Sequence, residues 1–204
     1  MDARILPLLS RRSLLAGAAA TLGVAAVPQA AMALDLASAR ALIDSAVGEV
    51  NSIISSGQSE GAMLASFEKL FARYADVPTI ARSALGPPAR SASKAELSAF
   101  TKAFQGYIAR KYGRRFREFI GGKIEVTDAR PIKSYFEVIT VAYLQGESPF
   151  DVRWHVADKS GKNLFFNIII EGVNMLASER AEIGAMLDKR QGSIAALIDD
   201  IKKA

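Results

Sequence analysis

Leu164-Phe165-Phe166-Asn167-Ile168-Ile169-Ile170-Glu171-Gly172-Val173-Asn174-Met175 is the stretch on which the reading of the fold turns. A half-buried antiparallel strand alternates apolar and polar residues, because successive side chains point to opposite faces. This run does not alternate. Leu164, Phe166, Ile168 and Ile170 fall on one face, and Phe165, Ile169 and Val173 on the other, so both faces of a sheet containing it demand apolar cover. Helices can cover one face. More helices, or a bound apolar ligand, can cover the second. An ordinary central strand in a two-sided core makes the same demand, so the flanking sequence has to decide.

Immediately upstream, Asp158-Lys159-Ser160-Gly161 reads as a hairpin turn. Before it, Phe150, Val152, Trp154 and Val156 alternate with Asp151, Arg153 and His155. Tyr135 to Leu144 is β-branched and aromatic and again apolar on both sides, with Val138, Ala142 and Leu144 on one and Ile139, Val141 and Tyr143 on the other. Ile124-Glu125-Val126-Thr127 alternates cleanly after Gly121-Gly122. Four strands joined by short turns make an antiparallel meander, and the two-sided demand belongs to the sheet as a whole. Downstream, Ser178 is expected to begin a helix carrying Ile183, Met186 and Leu187, and Gly192-Ser193 separates it from one carrying Ile194, Leu197, Ile198 and Ile201.

The first half is helical. From Leu36, apolar residues recur at Ala39, Ile43, Ala46, Val47, Val50, Ile53 and Ile54, ending at Gly57. Ser59 caps a second helix with the stripe Met63, Phe67, Leu70, Phe71 and Tyr74. Asp76-Val77-Pro78 starts a short third, stopped by Gly86-Pro87-Pro88. Ser93-Lys94-Ala95-Glu96 is a capping box opening the longest, whose stripe Leu97, Phe100, Phe104, Tyr107, Ile108 and Tyr112 is read on towards Phe116 and Phe119. On that helix Arg110, Arg114 and Arg117 share a face, either as a solvated surface or as a docking patch for anionic head groups and acidic partners. Helices, then a meander, then helices predicts an α+β fold, with helices packed on a curved, mainly antiparallel four-stranded sheet.

Ser10-Arg11-Arg12-Ser13-Leu14-Leu15 puts an arginine pair before a mild apolar run, and Ala31-Met32-Ala33 supplies a small-x-small cleavage pattern. Residues 1–33 are read as a removable export signal of twin-arginine type, with the general secretory route as the rival, and residues 34–204 as a single domain. Cleavage takes Arg4, Arg11, Arg12 and Asp2 from totals of 26 basic and 21 acidic residues, leaving a charge of about +3. That balance does not suggest nucleic acid. The chain has no cysteine, which excludes disulfides, thiolate metal sites and a cysteine nucleophile. It has one histidine, His155, so paired-histidine metal sites are excluded. No G-x-S-x-G elbow, P-loop, dinucleotide fingerprint or calcium loop accompanies it. No catalytic residue and no metal ligand is assigned.

Phe150-Asp151-Val152-Arg153-Trp154, the hairpin, then Ile170-Glu171-Gly172-Val173-Asn174-Met175 and a helix containing Arg180 resemble the C-terminal half of the periplasmic toluene-tolerance (MlaC-like) proteins. Tyr74-Ala75-Asp76-Val77-Pro78-Thr79-Ile80-Ala81-Arg82 with Ala84-Leu85-Gly86 is similar to a second signature of that family. The similarity runs in order and spacing along the mature chain. It departs at Asn167, where the family often has aspartate, at Asn174, where it has serine, and at Pro87-Pro88-Ala89, which replaces an aromatic-containing segment.

The resemblance implies a non-enzymatic, monomeric periplasmic carrier that binds phospholipid as its only ligand, with no cofactor. Its partners would be an inner-membrane MCE/ABC transporter complex and an outer-membrane lipoprotein complex. It also implies acyl chains held in an apolar lipid cavity between sheet and helices. The residues assigned to that cavity are Phe71, Tyr74, Ile80, Leu85, Phe104 and Tyr107 from the helices, Val138, Ile139, Val141 and Tyr143 from the second strand, Val152 and Trp154 from the third, and Phe166, Ile168, Ile170, Val173 and Met175 from the organising stretch. Arg110, Arg114 and Arg117 are assigned to head-group contact or docking. The rival readings are a related carrier of a hopanoid or other polycyclic lipid, and a small periplasmic hydrolase with an apolar pocket.

Overall fold

In the computed structural model the described residues are 35–204, without the side chains of 115–117; the expected export signal lies outside them. Among the described residues, six α-helices and a five-stranded antiparallel sheet of order β1-β2-β3-β4-β5 form an α+β fold.

The helix starts follow their caps. Asp35 opens α1 (Leu36–Ser55) in a capping box with Ser38, and Ser59 caps α2 (Glu60–Tyr74). Asp76 caps α3 (Val77–Leu85), with Pro78 in the first turn. Ser93 and Glu96 satisfy each other's backbone amides at the start of α4 (Lys94–Gly113). α4 does not run on as one helix to Phe119: Arg114–Phe119 tightens into a 3-10 segment. Gly113 is the turning point. A Cβ there would stand 2.3 Å from Leu64 Cδ2, so the glycine permits close approach of α4 and α2 but is a poor residue for continuing an α-helix.

The sheet comprises β1 (Lys123–Ile132), β2 (Tyr135–Tyr143), β3 (Phe150–Ala157), β4 (Leu164–Ile170) and β5 (Val173–Asn174). β1 is longer than the sequence pattern suggests, carrying a bulge at Thr127 and Pro131 near its end; proline is tolerated because the strand is at the sheet edge. α1 covers that edge with side chains. Asn51 both donates to and accepts from the backbone of Ile124, and Arg40 donates to the Val126 carbonyl. These bonds occupy groups that would otherwise offer a template for another strand.

The organising stretch is not one strand. β4 ends at Ile170, and Glu171 and Gly172 adopt positive φ angles of 49° and 81°, the backbone a tight type I′ hairpin requires. Val173 and Asn174 then return as β5, opposite Ile170 and Ile169. The sheet therefore has a fifth strand where the sequence pattern suggests four. Asn174 also caps α5 (Met175–Lys189), accepting from Ala177 N at 3.1 Å, so this helix starts three residues before the expected Ser178. α6 (Ile194–Ile201), capped by Ser193, closes the chain.

A bulge at Phe166 sets the faces of β4. Trp154 pairs with Ile168, His155 with Asn167, but Val156 with Phe165, so one residue is skipped and the alternation flips. Phe165 thereby joins Ile168 and Ile170 on the helix-facing side, with Val152, Trp154 and Val156 of β3 and Val138, Thr140 and Ala142 of β2. The hydrophobic core lies between this face and the helices. The helices are hooked to β4 where Asp76 N donates to the Phe165 carbonyl at 2.8 Å.

The opposite face carries a polar row across four strands. Arg130 donates from Nε to Glu137 Oε1 at 2.8 Å, Glu137 Oε2 lies 3.3 Å from His155 Nε2, and His155 Nδ1 lies 3.4 Å from Asn167 Nδ2. Asn167 Oδ1 accepts from Ile168 N and, across to α5, from Leu176 N. Tyr135 and Phe166 pack their rings against His155. Burial depresses the His155 pKa against the pull of Glu137, so the imidazole is neutral near pH 7.

Candidate functional site

Between the sheet and the helices lies a cavity of about 530 Å³. Its floor is the helix-facing side of the sheet: Ile124 of β1, Phe150, Val152 and Trp154 of β3, and Phe165, Ile168 and Ile170 of β4. Its walls are Val50 of α1, Phe67, Leu70 and Phe71 of α2, Ile80 of α3, and Ile108, Ala109 and Tyr112 of α4. Met175, Leu176 and Glu179 of α5, with Leu144, Glu147, Glu118 and Phe119, complete the lining. The rim is open to solvent at Glu118, Glu147, Glu171 and Val173, which is 52 % exposed.

The floor is held rigidly. Trp154 Nε1 donates to Thr140 Oγ1 at 3.0 Å, and the threonine hydroxyl donates in turn to the Val152 carbonyl at 3.1 Å. Phe165 stands edge-on to Trp154 at 5.1 Å between centroids and meets Phe71 of α2 at 6.1 Å. Aromatic pairs of this kind contribute about 0.5–1.5 kcal/mol beyond their buried area and fix the ring orientations.

Of the residues assigned to the cavity from sequence, Phe71, Ile80, Val152, Trp154, Phe166, Ile168, Ile170, Val173 and Met175 line it. The others do not. Ile139, Val141 and Tyr143 lie on the opposite sheet face, because Ile139 pairs with Arg153 and Val141 with Asp151 while Trp154 points to the helices. Val138 faces inward but is fully buried behind Trp154, its cross-strand partner. Leu85 and Phe104 are sealed in the helical core. Tyr74 is drawn away by donating to Glu49 Oε1 at 2.7 Å, and Tyr107 by donating to Glu182 Oε1 at 2.6 Å. Sequence reasoning left out Phe67, Leu70, Ile108 and Tyr112, although all four stand in the helical stripes; their spacing marks them as inward without saying whether protein or open space meets them. Phe165 faces the helices and not the side that simple alternation gives it, because the bulge reverses its orientation.

Two polar features touch the cavity: Asn167, at the end of the polar row across the sheet, and a charged cluster around Glu179. Glu179 of α5 is 3 % exposed, and its Oε1 accepts from Lys111 Nζ at 2.7 Å and from the Tyr112 hydroxyl. Lys111 Nζ also donates to Glu182 Oε2. Burial disfavours the lysine's charge, but its bonds to Glu179, Glu182 and Tyr107 outweigh that and raise its pKa. Burial and the neighbouring carboxylates push both phenols up, so Tyr107 and Tyr112 remain neutral donors. The Lys111 hydrogen bond, aided by Tyr107, holds Glu182 below the usual carboxylate range. Glu179 Oε2 has no hydrogen-bond partner among the described residues. An unpaired buried polar atom costs about 1–3 kcal/mol, and more when charged.

Two members of the expected basic stripe, Arg110 and Arg114, have described side chains. Arg110 turns to the C-terminal end of α6, donating from Nε to the Ala204 carbonyl at 2.8 Å and from Nη2 to the Ile201 carbonyl at 2.6 Å. A cation there suits the carbonyl-rich helix terminus. Arg114 is exposed on the 3-10 segment, and the side chain of Arg117 lies outside the described residues. Among the described residues no group of three or more acidic or histidine side chains is placed to hold a metal ion.

The family model described as "MlaC protein" matches residues 44–203. A phospholipid-binding protein from Ralstonia solanacearum, solved in complex with a phospholipid, shares the fold with a TM-score of 0.68 at 17 % sequence identity, over 81 % of this chain and 95 % of that one.

Proposed function

We propose that this chain, which belongs to the MlaC family, is a periplasmic phospholipid carrier that shields acyl chains in the cavity between sheet and helices. The observation that carries the reading is the cavity itself: about 530 Å³ of almost wholly apolar space, within the ~300–1,000 Å³ usual for ligand sites, with an open rim. The relative from Ralstonia solanacearum supports it, having the same fold and a bound phospholipid. Two acyl chains with roughly 30 methylenes would cost about 20–25 kcal/mol to expose to water, at ~0.8 kcal/mol each. Moving them from a bilayer into an apolar cavity nearly cancels that sum, so the protein can both take lipid up and release it.

In this reading the protein is exported by residues 1–33 and shuttles lipid between an outer-membrane lipoprotein complex and an inner-membrane MCE/ABC transporter complex, acting as a carrier and not a catalyst. Docking to such partners would fall to Arg114 in preference to Arg110, whose guanidinium is engaged by α6. Native mass spectrometry of protein gently purified from the periplasm should show a stoichiometric phospholipid adduct. Recovery of lipid-free protein that also fails to load from vesicles would sink the proposal.

A further inference from the structure

The charge around the cavity is unbalanced. In the cluster where α4 meets α5, one ammonium, Lys111, faces two carboxylates, Glu179 and Glu182, while Tyr107 and Tyr112 stay neutral. One negative charge is therefore unmatched. Glu179 is the charged member that borders the cavity, and its Oε2, closed off from solvent, is the one buried side-chain oxygen or nitrogen without a partner among the described residues. The exposed charges at the rim have the same sign: Glu118, Glu147 and Glu171 line it, and among the described residues no lysine or arginine does. Surplus carboxylate charge in a low dielectric attracts a cation and repels an anion through space, without direct contact.

We infer that Glu179 and the acidic rim select the head group: the cavity prefers a net-neutral lipid bearing a protonated amine over a lipid whose head is purely anionic. This rests on the carrier reading and goes beyond it in naming the class of lipid. The apolar floor and walls are indifferent to the head, since the acyl chains of both classes are alike; Asn167 also lines the cavity but is neutral, its amide engaged by His155 and by the backbone of Ile168 and Leu176, so the charged discrimination falls to these carboxylates. The position of Glu179 suits the role. It lies about one turn into the helix that begins at Met175, directly after the rim residues Glu171 and Val173.

The test uses lipid-stripped mature protein incubated with vesicles of equal phosphatidylethanolamine and phosphatidylglycerol with matched acyl chains, then re-isolated and extracted. The lipid ratio is read by mass spectrometry per loaded molecule, so incomplete folding of a variant does not distort it. Wild type should be enriched about tenfold in the amine-bearing lipid, the effect of a charge–charge interaction across several ångströms at intermediate dielectric. Glu179→Gln puts an amide N–H donor where the acceptor stood, and should bring the ratio close to that of the vesicle. The combined rim variant Glu118→Gln, Glu147→Gln leaves the buried cluster intact and should lower enrichment by about twofold, as expected of exposed charges; it carries the test should Glu179→Gln not fold. Equal uptake of the two lipids by wild type, preference for phosphatidylglycerol, or an unchanged ratio in folded Glu179→Gln overturns the inference and leaves the carrier reading standing. Uptake of neither lipid overturns both.

Discussion

Thr140→Val tests whether the cavity floor is built as described. Thr140 is fully buried, donates to the Val152 carbonyl and accepts the indole N–H of Trp154 at 3.0 Å. Valine matches its shape but has no hydroxyl, so the change opens no cavity and its cost is polar. Two hydrogen bonds worth about 1 kcal/mol each disappear, and the Trp154 N–H is left buried without an acceptor, a further penalty of about 1–3 kcal/mol, offset in part by the added methyl. The net expectation is a loss of about 2–3 kcal/mol in urea unfolding of lipid-stripped protein followed by far-ultraviolet circular dichroism. At about 2–4 °C per kcal/mol for a domain of this size, the melting temperature should fall by roughly 4–12 °C. In a Trp154→Phe background no indole N–H remains to be orphaned, and Thr140→Val should then cost about 1 kcal/mol or less. The difference between the two costs is the coupling across this bond. A Thr140→Val protein within about 0.5 kcal/mol of wild type, or one that loses the same stability in both backgrounds, would refute the reasoning.

Trp154 is the only tryptophan in the chain and lies on the cavity floor, so its emission reports on what fills the cavity. Loading with phospholipid brominated along the acyl chains should quench it strongly relative to unbrominated lipid; equal emission would place the chains elsewhere. His155, the only histidine, has its pKa lowered in the fold by burial. Its contribution is therefore fully present above the ordinary histidine value of about 6.5 and is lost as pH falls through the folded value, because the unfolded chain takes up the proton first. Unfolding free energy should therefore decline as pH falls below about 6.5. His155→Gln should flatten that decline even if it lowers stability throughout, and an unaltered slope in the variant would mean that His155 is not the group responsible.

Sequence alone determined what depends on near neighbours along the chain. Asp35, Ser59, Asp76, Ser93 and Ser193 stand where caps are needed, and each starts a helix, because a cap is satisfied within three residues. The Asp158–Gly161 turn and the meander are local in the same sense, and the family resemblance agrees with the match over residues 44–203. Glu171-Gly172 was legible as a turn signal, yet the apolar run around it disguised the break and the early start of α5.

Tertiary structure decided which apolar side chains meet open space. Helical and strand periods place residues on a face, but two inward residues of one stripe can end differently: Phe104 is sealed in protein while Tyr112 borders the cavity. The Phe166 bulge exists only in register with β3, and it turns Phe165 inward while Ile139, Val141 and Tyr143 of β2 remain on the far face. Arg110 belongs by spacing to a basic stripe, and only the folded chain brings the carbonyls of α6, more than ninety residues away, to its guanidinium. The surplus negative charge of the cluster is likewise invisible in sequence: Glu179 and Glu182 are neighbours on α5, but Lys111 and Tyr112 reach them only when α4 and α5 pack together. Such contacts are set by packing and electrostatics across distant segments, which no local period encodes.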